Sequence, residues 1–230
     1  MNNVLVSVIM SAHNAERTIV KSIQSLLNQT YKNLEILLVD DFSNDKTYEI
    51  FQDFEKTNKN IKLFRNDKNI GLTRSLNNLI KQAKGEYIAR QDADDVSDET
   101  RIEKQLKFLS KNNLDACSTR AYILESKKIT PSKSFYIPKN IIMKIKNPFI
   151  HGTLLIKKKV IEDIGFYNEE FYYSQDYKLM SDLLDKNYKI KIIKEPLYYL
   201  NMKGNISINQ KEEQKYYADC VRKKIKPIKV

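Results

Sequence analysis

The chain is predicted to fold as an α/β protein whose sheet is largely parallel. Three observations lead there: short, almost unbroken apolar runs at residues 4–10, 34–39 and 61–64, amphipathic stretches of helical period between them, and polar clusters directly after the strands. Apolar runs of that length suit strands covered on both faces. Strand alternating with helix is the arithmetic of a doubly wound sheet, and 230 residues suffice for one such domain with a substantial core.

Val4-Leu5-Val6-Ser7-Val8-Ile9-Met10 has no basic segment before it and is too short to span a bilayer, so it reads as the first strand. Ser11 to Asn14 is expected to be a loop. Ile19, Ile23, Leu26 and Leu27 then recur at helical spacing, predicting a helix over residues 15–28. Residues 34–39 form the second strand, and Asp40-Asp41-Phe42-Ser43-Asn44-Asp45 after it are loop and cap formers leading into a helix over 46–56. A third strand at 61–64 and a turn at Asn69-Ile70-Gly71 precede a helix over 73–84, which Gly85 is expected to close as a C-cap. The fourth strand, 86–90, runs straight into Asp92-Ala93-Asp94-Asp95.

A helix over 99–111 follows, with Ile102, Leu106 and Leu109 on one side, and regular patterning then weakens. Residues 124–148 carry Pro131, Pro138 and Pro148 among many Lys and Ser, the composition of a mobile connection. Beyond it the pattern predicts a strand at 153–156, a helix over 159–164 capped by Gly165, a helix over 176–185, a strand at 189–193 leading to Pro196, and a basic, Tyr-bearing helix from 210 to 230.

Lys and Arg total 40 against 29 acidic residues, a formal charge of +11 that attracts phosphates, nucleic acid or an anionic membrane. The lysines are scattered without the aromatic interleaving that reads single strands, so no nucleic-acid partner is expected. Cys117 and Cys220 lie far apart with no metal-ligand spacing, which excludes the disulfide-rich secreted class and fits a reducing cytoplasm.

The chemistry gathers where strands end. Ligands of open α/β sheets bind at carboxyl ends near a switch in strand order, so residues 12–14, Asp40 with Asp41, and the Asp92–Asp95 cluster are candidates for one pocket. Asp92, Asp94 and Asp95 repel one another unless a cation neutralises them, and hard oxygen ligands suit Mg2+ or Mn2+. Capping of the following helix, together with Asp98, is the competing reading. Asp41 suits hydrogen bonds from a base or ribose, with a helix cap again the alternative. Neither Gly-x-Gly-x-x-Gly nor a P-loop is present, so a diphosphate would need a metal. Arg74 stands at a helix start where it could meet phosphate. His151, one of two histidines with His13, is a candidate for the acceptor or leaving-group side, and Tyr172, Tyr173, Tyr198 and Tyr199 either stack on a sugar or pack.

Val6-Ser7-Val8-Ile9-Met10 with Asn14, Leu38-Val39-Asp40-Asp41-Phe42-Ser43-Asn44-Asp45-Lys46-Thr47, Asn69-Ile70-Gly71-Leu72, and Ala83-Lys84-Gly85-Glu86-Tyr87-Ile88-Ala89-Arg90-Gln91-Asp92-Ala93-Asp94-Asp95 occur in order. Together they resemble the opening half of family 2 glycosyltransferases of the GT-A fold. The similarity continues more weakly through His151-Gly152-Thr153, Gly165-Phe166-Tyr167 and Ser174-Gln175-Asp176-Tyr177. The resemblance implies a Rossmann-like nucleotide-binding sheet flanked by helices, with a smaller irregular acceptor-side region. It assigns residues 1–115 to the nucleotide-sugar half, 116–205 to the acceptor and catalytic half, and 206–230 to a basic helix or tail.

The same resemblance implies that Ala12, Asn14 and Asp92 line the donor pocket, that Asp41 binds a uracil-type base, and that Asp92 with Asp94 forms the metal element, Asp95 replacing or assisting Asp94. It makes Asp176 the catalytic base, although Gln175 stands where Glu is usual, and Phe42 replaces the usual Gly of the early loop. The implied activity is inverting transfer from a nucleotide-diphosphate donor, a UDP-sugar, to a hydroxyl of a saccharide or lipid-linked saccharide in surface-glycan synthesis. It takes place in the cytoplasm, with peripheral contact at the inner membrane face through the basic C-terminal helix. Two other readings compete. A metal-dependent nucleotidyltransferase would carry a Gly-rich loop where Ser11-Ala12-His13-Asn14 stands, and a non-catalytic basic module on a degenerate transferase fold would not need both Asp94 and Asp176.

Overall fold

The computed structural model describes residues 3–202 and 210–228. Its strands are β1 (Val6–Ala12), β2 (Leu34–Asp40), β3 (Ile61–Arg65), β4 (Tyr87–Arg90), β5 (Val96–Ser97), β6 (Ala116–Ile123), β7 (Ile129–Thr130), β8 (Leu155–Lys157) and β9 (Ile190–Leu200). Its helices are α1 (Ile19–Leu27), α2 (Thr47–Thr57), α3 (Leu72–Gln82), α4 (Arg101–Asn112), α5 (Lys139–Ile142), α6 (Lys158–Asp163), α7 (Gln175–Asp185) and, after the undescribed stretch, α8 (Lys211–Lys223).

One mixed sheet runs β3-β2-β1-β4-β8-β6-β9-β5, with β7 on β6. The first four strands are parallel, as expected, and the chain returns from β3 at one edge to place β4 on the far side of β1. That reversal makes the β1–β4 boundary the switch point, and the crevice lies outside its carboxyl ends. Beyond β4 the sheet turns antiparallel through β8 and β6, then parallel again from β6 to β9.

Both faces are covered. Val6, Val8 and Met10 of β1 pack with Ile23 and Leu26 of α1 and Phe51 of α2, while Ile9 points into the opposite layer with Leu76 and Ile80 of α3 and Leu183 of α7. This two-sided burial is the reason the strand reads as an unbroken apolar run rather than an alternating one.

Several sequence expectations need correction. The strand predicted to stop at Met10 continues to Ala12, because pairing with β2 holds as far as Asp40. Gly85 is not a C-cap: α3 ends at Ala83, and Gly85 is small because a Cβ would fall 2.6 Å from the backbone nitrogen of Ser7. Regularity does not fall after residue 111, since β6 lies inside the sheet between β8 and β9. The stretch expected to be a mobile connection holds β7, a 3-10 turn at Lys133–Tyr136 and α5. Thr153 belongs to a 3-10 turn, His151–Thr153, and not to β8. β9 passes through Pro196 to Leu200, with a register shift between Thr119 and Arg120 of β6 opposite Ile193 and Pro196, which is where a sheet tolerates a residue without an N–H. The C-terminal helix stops at Lys223.

Gly165 does cap its helix. At φ +83° it lets the amide of Phe166 reach the carbonyl of Ile161 at 2.8 Å and its own amide reach Glu162 at 3.0 Å. The boundary drawn at residues 205 and 206 lies outside the described residues. Among the described residues, no helix is long and apolar enough to cross a membrane.

Candidate active site

The loops leaving β1 and β2 are bound to one another. The amide of Asp41 donates to the carbonyl of Ala12 at 2.8 Å, that of Asn14 to Ser43 Oγ at 3.0 Å, and that of Asn44 to Asn14 Oδ1 at 2.9 Å. His13 Nδ1 lies 3.0 Å from the carbonyl of Asp41. Two non-glycine residues take left-handed backbone here, Asn14 at φ 53° and Phe42 at φ 63°. Asn tolerates that conformation, whereas for Phe it is strained.

Asp41 is almost fully buried, and its carboxylate organises the next loop. Oδ1 accepts from Asn66 Nδ2 at 2.8 Å and the Ile70 amide at 2.9 Å, and Oδ2 accepts from the Gly71 amide at 2.9 Å. Asp41 is therefore no helix cap. Asp45 fills that role instead, accepting the Thr47 amide at 2.9 Å. The ring of Tyr172 lies 3.5 Å from the point where a Cβ on Gly71 would stand, so this segment also borders the Asp41 loop.

The acidic cluster rests on two buried guanidiniums. Arg90, 1% exposed, donates from Nη2 to Asp92 Oδ1 at 2.7 Å. Arg101 donates to the carbonyls of Arg90 at 3.0 Å and Gly152 at 2.9 Å, and lies 5.4 Å from the centre of the Tyr198 ring. The Tyr198 hydroxyl in turn accepts the Asp92 amide at 3.1 Å, and the Asp95 carboxylate lies within its electrostatic reach. Asp95 is 3% exposed, and its Oδ1 accepts the Asn201 amide at 2.8 Å. Asp98 Oδ1 accepts the Thr100 amide at 2.9 Å just ahead of α4, and Thr100 at the N-cap makes no side-chain cap bond, so the cluster is not consumed by that task.

Among the described residues, no three His, Cys, Asp or Glu side chains converge as a metal would require. The donor chemistry nevertheless suits a hard cation at two of the carboxylates. Asp92 keeps 28% of its side chain open, Asp94 beside it is half-buried, and burial reinforced by the charge of Asp92 pushes the Asp94 carboxyl up to about 6. Burial, with Asp92 and Asp94 adding to it, pushes Asp95 up to about 8. Sites that retain protons this way are sites where a divalent ion relieves repulsion.

Asp176 stands in the first turn of α7 and accepts from Asn147 Nδ2 at 2.8 Å; the helix is entered through Ser174 at φ 55°, so Asp176 is not its cap. His151 Nε2 lies 2.8 Å from the Tyr167 hydroxyl. Burial first, then the charge of Arg90, lowers the His151 pKa, while Asp92 and Asp176 pull it upward. His151 thus lies within electrostatic reach of both carboxylates and joins the β4 end of the site to the α7 end. Arg74 stands apart from this group: it is exposed and pairs with Glu169 at 3.3 Å. Of the four tyrosines singled out, Tyr198 is buried, Tyr199 stacks on Tyr122 at 5.6 Å, and Tyr172 and Tyr173 meet edge to face at 5.0 Å.

Sequence reasoning missed Arg90, Arg101, Asn147 and the positioning roles of Gly152 and Tyr198. Arg90 alone left a signal, as a cation at the end of a strand whose neighbours are apolar. A separate cleft of about 720 Å³ opens between α3, residues 164–170 and α7, lined by charged residues such as Lys81, Glu169, Lys178 and Asp182. It contains none of Asp41, Asp92 or Asp176, and the strand-end crevice is the site the chemistry selects.

The family described as "Glycosyl transferase family 2" matches residues 7–170. The chain is 38% identical over 169 residues to a putative glycosyltransferase, EpsE, of Bacillus subtilis, covering 70% of this chain but 59% of that protein. It is 33% identical over 190 residues to the Escherichia coli protein WfgD, described as a UDP-Glc:alpha-D-GlcNAc-diphosphoundecaprenol beta-1,3-glucosyltransferase, covering 81% of this chain and 72% of that one. Among solved structures, S. aureus TarS in complex with UDP matches with a TM-score of 0.75 at 20% identity, over 98% of this chain and 67% of that one. A mannosyltransferase of Pyrobaculum calidifontis in complex with GDP-Man and Mn2+ matches with a TM-score of 0.74 at 18% identity, over 96% and 65%. These structural likenesses establish the GT-A fold.

Proposed function

Because the chain belongs to glycosyl transferase family 2, we propose that it moves a sugar from a UDP-sugar to a hydroxyl of a saccharide or lipid-linked saccharide in surface-glycan synthesis, inverting the anomeric centre. What supports this reading is the placement of Asp41 and Asp92 just past the carboxyl ends of β2 and β4 and of Asp176 in the first turn of α7, with His151 in electrostatic reach of Asp92 and Asp176. Support for a nucleotide-sugar donor comes from the UDP and GDP-Man bound in the TarS and mannosyltransferase structures. The diphosphoundecaprenol in the description of WfgD supports a lipid-linked acceptor.

In this reading residues 1–115 hold the donor, 116–205 the acceptor and the base, and 206–230 form a basic tail. Ala12 and Asn14 shape the floor beside the nucleotide. A carboxylate offers about four lone pairs; Asp41 spends three on Asn66, Ile70 and Gly71, and the one left on Oδ2 suits an imide N–H of uracil. Asp92 and Asp94 would hold Mg2+ or Mn2+, with Asp95 behind them anchoring the Asn201 backbone. The ion, when bound, neutralises the departing diphosphate. Asp176, oriented by Asn147, takes the proton from the acceptor hydroxyl as that oxygen attacks. His151 borders the acceptor side, and Arg74 reaches phosphate only by leaving Glu169.

The cytoplasm, where nucleotide sugars are available, suits this reaction, and the buried, unpaired Cys117 and Cys220 suit a reducing compartment. A thermal-shift comparison of UDP with Mn2+, UDP alone and ADP with Mn2+ tests the reading. UDP with Mn2+ is expected to stabilise most, and equal shifts in all three would remove its main support.

A further inference from the structure

The positive charge of this chain is unevenly placed. Residues 126–150 hold six lysines and no Asp or Glu. None of Lys127, Lys128, Lys133, Lys139, Lys144 and Lys146 forms an ion pair among the described residues. The end of the C-terminal helix and the residues just after it differ in this respect. Arg222 pairs with Asp219, Lys224 with Asp185 at 2.8 Å and Lys226 with Glu170 at 3.0 Å, so these charges are already neutralised.

The same basic stretch exposes large apolar side chains. Tyr136 is 70% exposed, Ile141 51% and Ile145 62%. α5 continues as successive turns, with the amides of Lys144, Ile145 and Lys146 bonding back to Ile141 and Ile142. Spacing of four along such turns puts Ile141 and Ile145 on one face. Ile142, between them, is 2% exposed and faces the interior, with Met143 packed against the core. The stretch is fixed from behind, because the Ile145 carbonyl accepts from Arg222 at 3.0 Å and the Met143 carbonyl accepts from the Tyr177 hydroxyl. An apolar face flanked in the chain by Lys144 and Lys146, neither of them in an ion pair among the described residues, matches the surface of a bilayer rich in anionic lipid: the side chains enter the headgroup boundary and the lysines meet phosphate.

We propose that Tyr136, Ile141 and Ile145, with the lysines around them, dock the protein on an anionic lipid surface, and that this face rather than the C-terminal helix is the membrane contact. Two residues beyond Ile145, Asn147 holds the carboxylate of Asp176 at 2.8 Å. Docking here therefore sets the α7 end of the crevice close to the headgroup plane. The surface argument does not depend on sugar transfer, and its test reads no catalysis, so the two readings fail separately.

The experiment is co-sedimentation of the full chain with vesicles of phosphatidylcholine, with and without phosphatidylglycerol. The wild type is expected to pellet with the anionic vesicles and to be released as salt rises. Lys144→Glu with Lys146→Glu is expected to weaken binding about thirtyfold, Ile141→Ser with Ile145→Ser to weaken it comparably, and Lys224→Glu with Lys226→Glu to leave it unchanged. All substituted residues are exposed, and matching circular-dichroism melts confirm that the variants fold. Wild-type binding that is absent or indifferent to phosphatidylglycerol overturns the proposal, as does undiminished binding by the isoleucine variant. Elution as a dimer that the isoleucine variant converts to a monomer also overturns it, by assigning the face to a second copy of the chain.

Discussion

The hydroxyl of Tyr198, near the end of β9, accepts the backbone amide of Asp92 at 3.1 Å, so β9 grips the acidic turn that follows β4. The buried ring of the same residue lies against the Arg101 guanidinium, 5.4 Å from its centre. The arrangement needs an empty position at residue 152.

A methyl group there would fall 2.4 Å from Tyr198 Oη and 2.5 Å from Asp92 Oδ2. Gly152→Ala is expected to cost about 1–3 kcal/mol, the usual penalty for overpacking a closed core, and to weaken UDP binding by displacing Asp92. Urea unfolding and a UDP titration check both. Tyr198→Phe removes the nearest of the three colliding atoms, Tyr198 Oη, Asp92 Oδ2 and Tyr198 Cζ, and should rescue part of the stability loss in the double variant; simple additivity would show that the tyrosine and the glycine are not coupled.

The donor half was legible in the sequence because its strands are buried on both faces and its functional carboxylates follow them directly. Val8, Ile36 and Ile88 sit in runs that only such a sheet requires, and Asp41 and Asp92 stand one or two residues past strand ends. The acceptor half was not legible for a reason visible in β6. Ser118 and Thr119 are fully buried there, Thr119 bonding Thr153, so a central strand carries polar letters. Arg90 and Arg101 were missed on the same principle: a buried guanidinium paired with carbonyls and a carboxylate is indistinguishable, as a letter, from a solvated one.

Phe42 offers a stability test of the early loop. Left-handed backbone costs a non-glycine residue about 1–2 kcal/mol, whereas glycine gives back about 0.5–1 kcal/mol through the flexibility of the unfolded chain. The side chain is 42% exposed, so more than half of it is buried and removing it gives up about 2–3 kcal/mol of burial. Phe42→Gly is accordingly expected to lower stability by about 1–2 kcal/mol despite the relief of strain, seen as a lower urea midpoint at unchanged slope. A higher midpoint would mean that the strain outweighs the packing of the ring.

His151 gives the fold an acid-side sensitivity. Burial and Arg90 hold its folded pKa below the unfolded value of about 6.5. The unfolded state therefore binds more protons between those two values, and stability falls as pH drops through that window. The wild type should lose stability relative to His151→Asn as pH falls below about 6.5, and the gap should be constant above it. A gap independent of pH from 5 to 7.5 would show that the imidazole is not held neutral by its surroundings.

In the proposed reaction, Asp94 serves donor binding and Asp176 proton removal, and variants at the two positions separate these roles. The Asp94 carboxyl, pushed up to about 6 by burial and by Asp92, retains its proton better in the folded state than in the unfolded one. Its contribution to stability is therefore lost as pH rises from about 4 toward that folded value. Without divalent ions at pH 8, Asp94→Asn should melt above the wild type, because it removes a buried charge that repels Asp92. With Mn2+ and UDP the order should reverse, because the variant lacks a carboxylate needed to hold the ion that meets the diphosphate. Asp176→Asn should keep the wild-type response to Mn2+ and UDP, since Asp176 stands on α7, bonded to Asn147, and not in the acidic cluster after β4, yet lose transfer by a factor of about 100 or more. Thermal melts with a radiolabelled-sugar transfer assay distinguish the two. A variant at position 94 that responds to Mn2+ and UDP like the wild type sinks the metal assignment, and one at 176 that keeps full transfer moves the base elsewhere.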